Sequence, residues 1–241
     1  MSNIAIAVDV FGASTPFAPK SLPGLVLDLD PAHGITLSGS NVTAWADQSG
    51  TGDANKNATD GAVAPTFLSS SASYNGQPVV VIGAPITCCM VTGAWSTPLP
   101  QPCTVVFVGH AIGAGNAYGF DSLSAGSQMG MSGLASNVGL YAGAAGINSG
   151  VSTQGIPSCC TAIFQASPNA SIAVNTKTPQ ATGNVGTNGA TGFTIGNWAG
   201  QSQSLHGQIA RMLVWNRALS ATDIGKLAPY ITSTYGVTIG P

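Results

Sequence analysis

Two aspartates whose spacing could support hydrolytic chemistry stand near the front of the chain, in the segment Leu25-Val-Leu-Asp-Leu-Asp-Pro31. In a strand, Asp28 and Asp30 would project from one face with Cα atoms about 6.5 to 7 Å apart. Carboxylate pairs at comparable separations cleave glycosidic bonds. The chain has no glutamate, however, and Asp30 precedes a proline at the end of its segment, where aspartate is a common turn residue. Because no Gly-x-Ser-x-Gly nucleophile motif appears either, we predict no catalytic residue.

Carbohydrate recognition is an alternative function that two aromatic residues would support. Trp95 and Trp198 lie in turn-rich segments and could present a ring to a sugar, with Asn197 beside the second of them. Tyr118 and Tyr141 are poorer candidates. Each of the two tryptophans could instead cover the core or a subunit interface, and that alternative stays open.

A metal site is the next class to consider, because Asp47 and Asp53 bound a loop of turn-forming residues. Hard cations such as calcium take six to eight oxygen ligands, usually from several carboxylates. This loop is too poor in carboxylates, so we interpret both aspartates as groups that cap turns. The three histidines, at positions 33, 110 and 206, are scattered along the chain. We therefore predict neither a metal site nor a cofactor.

The five cysteines fall as Cys88-Cys89, Cys103 and Cys159-Cys160. This pattern fits neither a secreted disulfide framework nor the spacing of zinc ligands. We interpret them as reduced, small hydrophobic residues, with disulfides formed later as the alternative. Because neighbouring strand residues face opposite ways, one thiol of each pair should point into the core and the other away from it.

Charge is unusually scarce: 6 % of the 241 residues are charged, and the net charge is −2. Such a surface offers no electrostatic footprint for nucleic acid or an acidic membrane. No uncharged apolar run reaches the length that spans a bilayer, and residues 1–10 lack the features of a secretory signal. Few charges also remove the usual means of staying monomeric, so we expect partner subunits.

The first 24 residues form a segment that we expect to be an extended N-terminal arm. Proline punctuates its second half, which is typical of a tether. Its first half alternates apolar residues with others, which predicts a strand that adds to a neighbouring subunit's sheet. The alternating residues, our candidate assembly contacts, are Ile4, Ile6, Val8 and Val10.

Residues 25–241 are predicted to form one domain of short strands, because glycine and proline interrupt the apolar runs throughout. The strand at 103–108 is nearly continuous in apolar character and should be central. One helix is expected after Ser220, since Asp223 completes a capping box and Gly236 provides a stop. Pro229 should kink that helix or divide it into two short turns. The other strands are expected at 25–29, 42–45, 77–82, 162–165, 171–174, 192–196 and 207–215, with weaker ones near 117–120, 128–131 and 138–142.

Three cassettes of the chain resemble concanavalin A-like, laminin-G-type domains: Trp45-Ala-Asp-Gln-Ser-Gly50, Asn75-Gly-Gln-Pro-Val-Val80, and Gly207-Gln-Ile-Ala-Arg-Met-Leu-Val-Trp-Asn-Arg-Ala-Leu-Ser220. The resemblance implies an all-β jelly-roll sandwich in which the first and last strands lie side by side, with one short C-terminal helix. Trp45 and Trp215 would then be core residues.

Domains of this kind are carried by bacteriophage structural proteins and bacterial surface proteins, so the resemblance implies a class of function. We expect a non-enzymatic virion structural or decoration protein, made in a host cytoplasm and attached to other virion subunits through its arm, as a homo-oligomer. The alternative is a glycan-binding adhesin or receptor-binding lectin module on the same fold. A hydrolase is a third, distant reading.

Overall fold

The computed structural model describes residues 17–115, 117–123, 129–143 and 146–241. Ile4, Ile6, Val8 and Val10 lie outside these ranges, so their pairing with another subunit stays a prediction. The described part of the expected arm packs against the body: Leu22 is buried, and the ring of Phe17 meets that of Tyr230 edge-on at 5.9 Å.

The described residues form seventeen strands and one α-helix, as the composition predicts. Three short 3-10 helices occupy Pro19–Ser21, Ala54–Lys56 and Ala72–Tyr74. The strands are Leu25–Leu29 (β1), Ile35–Ser38 (β2), Asn41–Trp45 (β3), Ala58–Asp60 (β4), Thr66–Leu68 (β5), Val79–Ile82 (β6), Met90–Thr92 (β7), Cys103–Ala111 (β8), Phe120–Ser122 (β9), Gly130–Ser132 (β10), Gly139–Tyr141 (β11), Ile147–Asn148 (β12), Cys159–Phe164 (β13), Ala170–Val174 (β14), Ala181–Gly183 (β15), Phe193–Ile195 (β16) and Gly207–Trp215 (β17), and the helix is Ala221–Tyr235 (α1).

The strands make two layers with a hydrophobic core between them. One layer runs β15-β14-β13-β8-β17, and β17 continues the sheet to both β1 and β6. The other layer runs β12-β11-β10-β9-β16-β7-β4-β3-β2. Pairing of β5 with both β3 and β6 joins the layers at one side. The all-β jelly-roll sandwich expected from the sequence is therefore confirmed.

The strands β1 and β17 lie side by side and antiparallel, from Leu25 opposite Trp215 to Leu29 opposite Met212. The strand β8 is buried along its whole length, as its apolar run predicts, because β17 and β13 flank it. This places the first described strand beside the last one, at the edge of its layer.

The helix α1 covers the outer side of the β8–β17 layer. It begins at the capping box of Ser220 and Asp223 and ends at Gly236, whose φ of 70° is in the left-handed region. Leu227, Ile231 and Tyr235 bury its inner side in a second hydrophobic cluster that includes Trp215. The expected division into two turns is wrong, because α1 runs unbroken through Pro229. Pro229 and the preceding turn lie on its exposed side, where water can satisfy the carbonyl that proline leaves unbonded.

The two fold-defining tryptophans are fully buried, which confirms their expected place in the core. Trp45 packs between the layers, whereas Trp215 packs beneath α1. None of the helices in the described ranges is long and apolar enough to traverse a lipid bilayer.

Candidate functional site

The aspartates Asp28 and Asp30 are held by one arginine, Arg211, which was not among the predicted site residues. Arg211, on the neighbouring strand β17, meets Asp28 twice, with Nε 2.7 Å from Oδ1 and Nη2 2.9 Å from Oδ2. Its Nη1 also contacts Asp30 Oδ2 and lies 3.2 Å from the hydroxyl of Tyr235. Burial, partly offset by Arg211, raises the pKa of Asp28. The two carboxylates therefore anchor β1 to β17 and α1, and they are not free to act as an acid and base pair.

The aspartates of the predicted turn loop cap backbone and side-chain donors. Asp47 Oδ1 accepts hydrogen bonds from the N–H groups of Asp28, at 2.8 Å, and Ser49, at 2.9 Å. Asp53 accepts from the N–H groups of Asn55 and Ser96. Within the described ranges, no group of three His, Cys, Asp or Glu side chains is placed to hold a metal ion.

All five cysteines are buried and make no disulfide in the structure. In each adjacent pair one thiol packs in the core between the layers and the other does not, as the alternation of side chains predicts. Cys88 and Cys160 lie in that core, whereas Cys159 packs in the cluster beneath α1 and Cys89 belongs to neither cluster. The second thiol of each pair is nevertheless buried.

Trp95 is buried, with 5 % of its surface exposed, so its ring covers the core, which is the alternative given above, and is not presented to a ligand. One face of the indole lies under the ammonium of Lys56, which is 5.0 Å from the ring centroid. The edge of the ring packs against Phe193. Backbone hydrogen bonds from Trp95 to Thr191 and from Leu99 to Ala190 hold the segment before β8 against the core.

Asn197 is also buried, and it organises a loop where we expected it to face a ligand. Its Nδ2 donates to the carbonyl of Ile86 at 2.8 Å, and its Oδ1 accepts from the N–H groups of Trp198 and Gln203. The ring of Trp198 stays partly exposed and lies over Gly200, so close that a Cβ on Gly200 would stand 2.1 Å from Cζ3. Of the three predicted glycan-binding residues, Trp198 alone offers an accessible ring.

A carboxylate not singled out from the sequence lies beneath this loop. Asp121, on β9, points to the outer face of its sheet because its neighbour Phe120 points into the core. It is fully buried and accepts hydrogen bonds from the N–H groups of Ser122, at 2.8 Å, and Ala199, at 3.1 Å. Burial raises the pKa of Asp121, while the N–H of Ala199 opposes that rise. The loop of Trp198 is thus fastened to the outer sheet face through Asp121.

Two tyrosines share that outer face with Asp121. Tyr141 stands opposite Gly130, and a Cβ on Gly130 would lie 2.5 Å from the Tyr141 hydroxyl. In this register Gly130 lies in turn opposite Asp121, so Tyr141 extends across the glycine towards the carboxylate. The Tyr141 hydroxyl opposes the rise in the pKa of Asp121. Its distance and angles do not meet those of a standard hydrogen bond to any of the described residues. Tyr118 meets Tyr141 edge-on, with ring centroids 6.2 Å apart.

We name Tyr118, Asp121, Tyr141 and Trp198 the aromatic–carboxylate cluster. Burial, and then the charge of Asp121, raise the pKa of both tyrosines, so both hydroxyls remain protonated donors at neutral pH. All three rings are partly exposed. Partly exposed aromatic faces suit a polyol ligand, whose C–H faces pack on rings. The buried Asp121 and the buried Tyr141 hydroxyl lie behind these faces and help to position them.

Comparison with known proteins finds solved structures of similar fold. No family model matches the sequence, and comparison with curated proteins found no relative. A Trypanosoma rangeli sialidase in complex with sialic acid is similar at a TM-score of 0.56 and 15 % identity, over 88 % of this chain and 33 % of the sialidase. Domain 4 of AbnA, a GH43 extracellular arabinanase from Geobacillus stearothermophilus, in complex with arabinotriose, is similar at a TM-score of 0.57 and 12 % identity, over 85 % of this chain and 98 % of that domain.

Botulinum neurotoxin type C, whose cell entry depends upon interaction with two ganglioside molecules, is similar at a TM-score of 0.52 and 12 % identity. The match covers 86 % of this chain and 51 % of the toxin chain. This chain therefore spans about a third of the sialidase and about half of the toxin chain that it resembles. At these identities the likeness shows the fold, and the chain is a β-sandwich jelly roll.

Proposed function

We propose that this protein is a non-catalytic glycan-binding module whose ligand lies against the aromatic–carboxylate cluster. The observation that carries the proposal is that one buried carboxylate, Asp121, lies beside two partly exposed tyrosines and fastens the loop that bears the partly exposed Trp198. Asp121 receives two backbone N–H groups, which fix its oxygens and the loop that bears Trp198. The rings are therefore positioned before a ligand arrives, and preorganisation of this kind reduces the entropy lost on binding.

The surroundings of the carboxylates support binding without hydrolysis. Glycoside hydrolysis ordinarily needs two carboxyl groups flanking the scissile bond. Asp121 is the only acidic residue of the cluster, and Asp28 and Asp30 are engaged by Arg211. The proteins of similar fold support the ligand class, since one is described with arabinotriose and another with gangliosides.

The virion assignment is predicted from the family resemblance, and the comparisons do not support it. Attachment through the arm stays a prediction, because residues 1–16 of the arm lie outside the described ranges. The partner subunits, the homo-oligomer and the virion location stay predictions, and a glycan-binding module is compatible with a place on a particle surface. Incorporation of full-length and arm-deleted chains into particles would test them independently of glycan binding.

The test of the proposed function is calorimetric titration of the full chain with arabinotriose and with a ganglioside oligosaccharide, after a wider glycan array. Tyr118→Ala and Trp198→Ala should each weaken binding about tenfold, as loss of a central aromatic contact commonly does. Tyr230→Phe is the matched control, because this partly exposed tyrosine lies on α1, away from the cluster. A chain that binds no glycan on the array would refute the proposal.

A further variant, Gly200→Ala, displaces the ring of Trp198 without removing it. In Gly200→Ala the new Cβ would stand 2.1 Å from Cζ3 of Trp198, so the ring must leave its position. Binding should weaken and the tryptophan emission should change, while the exposed position keeps the effect on stability small. Unchanged affinity in both Gly200→Ala and Trp198→Ala would place the ligand elsewhere.

A further inference from the structure

A cavity of about 360 Å³ lies between the segment that precedes β8 and the residue that follows β17, apart from the aromatic–carboxylate cluster. Its lining includes Lys56, Trp95, Leu99, Pro100 and Asn216. It shares no residue with the aromatic–carboxylate cluster. We refer to it as the Lys56 cavity.

The ammonium of Lys56 is a buried charge without an ionic partner among the described residues. The residue is 7 % exposed. Its Nζ donates one hydrogen bond, to Thr51 Oγ1 at 3.1 Å, and lies over the ring of Trp95. An ammonium carries three N–H donors, so two remain for another acceptor. Burying such a group is unfavourable unless its charge and its donors are matched.

No nearby carboxylate among the described residues pairs with the Lys56 ammonium. Asp53 is the one whose pKa Lys56 helps to lower, but hydrogen bonds from Ser96 are the larger cause. The Asp53 oxygens accept from Asn55 and Ser96, and no ion pair with Lys56 forms in the part of the chain that the structure describes.

A second donor in the same cavity also lacks a partner. Nε1 of Trp95 is buried and has no hydrogen-bond acceptor among the described residues. Unsatisfied buried donors are uncommon in folded proteins, and each calls for an explanation. Nε1 of Trp45 and Nε1 of Trp215 also lack an acceptor in the described part of the chain, but Trp95 lines this cavity together with Lys56, and each of these two residues carries an unmatched buried donor.

The other residues that line the cavity indicate what a ligand must offer besides an acceptor for Lys56 and Trp95. Leu99 and Pro100 present apolar surface, and the exposed Asn216 adds a side-chain amide. We propose that the Lys56 cavity binds a small organic acid, whose carboxylate meets Lys56 and Trp95 and whose apolar body lies against Leu99 and Pro100. This ligand is independent of the glycan at the aromatic–carboxylate cluster.

The test uses benzoate as the anionic probe, benzamide as its neutral analogue and inorganic phosphate as an anion without an apolar body. Calorimetric titration of the full chain should give benzoate an affinity at least about tenfold higher than that of benzamide, since hydrogen bonds to charged groups are the stronger ones. Phosphate should bind more weakly than benzoate. Equal affinity for benzoate and benzamide, or for benzoate and phosphate, would overturn the proposal.

Variants of Lys56 distinguish a ligand-binding role of its ammonium from a structural role. Lys56→Met should abolish the preference for benzoate, while Lys56→Arg should keep it. In the absence of probe, Lys56→Met should melt no lower than the wild type, because it removes an unmatched buried charge. Lys226→Met, at an exposed lysine of α1, is the matched control and should bind benzoate normally. A lower melting temperature of Lys56→Met would show that Thr51 and Trp95 suffice to hold the ammonium, and the proposal would fail.

Discussion

Arg211 joins Asp28 through two hydrogen bonds, and this pairing fastens the last strand of the sandwich to the first. The side chains of both residues are more than nine-tenths buried. A bidentate pair of this geometry is directional as well as ionic. Because Tyr230 and Tyr235 of α1 reach the same guanidinium, one side chain connects two strands and the helix.

Removing this guanidinium should be strongly destabilising. Arg211→Met leaves two buried carboxylates without their partner, and loss of one member of a buried ion pair reduces the free energy of unfolding by about 3 to 5 kcal/mol. Urea denaturation at neutral pH measures the change. Arg217→Met is the control, because its pair with Asp223 is partly exposed and such pairs contribute about 0 to 1 kcal/mol. Equal losses in the two variants would contradict the prediction.

Trp215 supports the packing of α1 on the sheet. Trp215→Ala should lower the free energy of unfolding by about 3 to 5 kcal/mol, because the fully buried indole leaves a cavity. Leu37→Ala removes an exposed apolar side chain and should stay within about 0.5 kcal/mol of the wild type. A loss below that of a surface substitution would mean that the cluster beneath α1 collapses around the missing ring.

Acid should weaken the N-terminus of α1. Hydrogen bonds from Arg217 and Ser220 hold the pKa of Asp223 well below its ordinary value of 3.8. For a carboxyl whose folded pKa is lowered, the stabilisation is present above the unfolded pKa and is lost as pH falls towards the folded pKa. Asp223→Asn should therefore lose less stability on acidification below about pH 4 than the wild type does. Asp60→Asn, at an exposed position, should follow the wild-type curve in a pH series of urea denaturations.

The buried thiols should be unreactive until the protein unfolds. Burial raises the pKa of Cys89, Cys103 and Cys159 to about 12 each, so their thiolate forms are scarce at pH 8. Thiolate is the reacting species towards Ellman's reagent. We expect no rapid thiol reaction in the native protein and reaction of all five cysteines in denaturant. Rapid native labelling would instead indicate local opening of a sheet edge.

Much of the fold could be read from local pattern. The apolar run of β8 predicts a buried central strand, and the spacing of Ser220 and Asp223 predicts the start of α1. These signals are local, and the structure confirms both. Pro229 is the exception, because its effect depends on which side of the helix faces water.

The candidate site was harder to predict, because its members are brought together by pairing between strands. Tyr118, Asp121 and Tyr141 lie in a segment rich in glycine and alanine, where the apolar pattern specifies register poorly. Gly130 is what lets Tyr141 reach across the sheet, and a glycine gives no sign of this in the sequence. Arg211 did carry a signal, since an arginine inside an otherwise apolar strand requires a buried counter-charge.

The position of β17 has a consequence for how the chain is made. This strand lies between β1 and β8 and also pairs with β6, yet it comes after all three in the chain. During translation the earlier strands must wait, with apolar faces exposed, until residue 215 has left the ribosome. Long-range pairings of this kind form slowly and leave intermediates prone to aggregation. Completion of this sandwich is therefore a late, nearly all-or-none event in synthesis, and nascent chains cut short before β17 are substrates for chaperones and proteases.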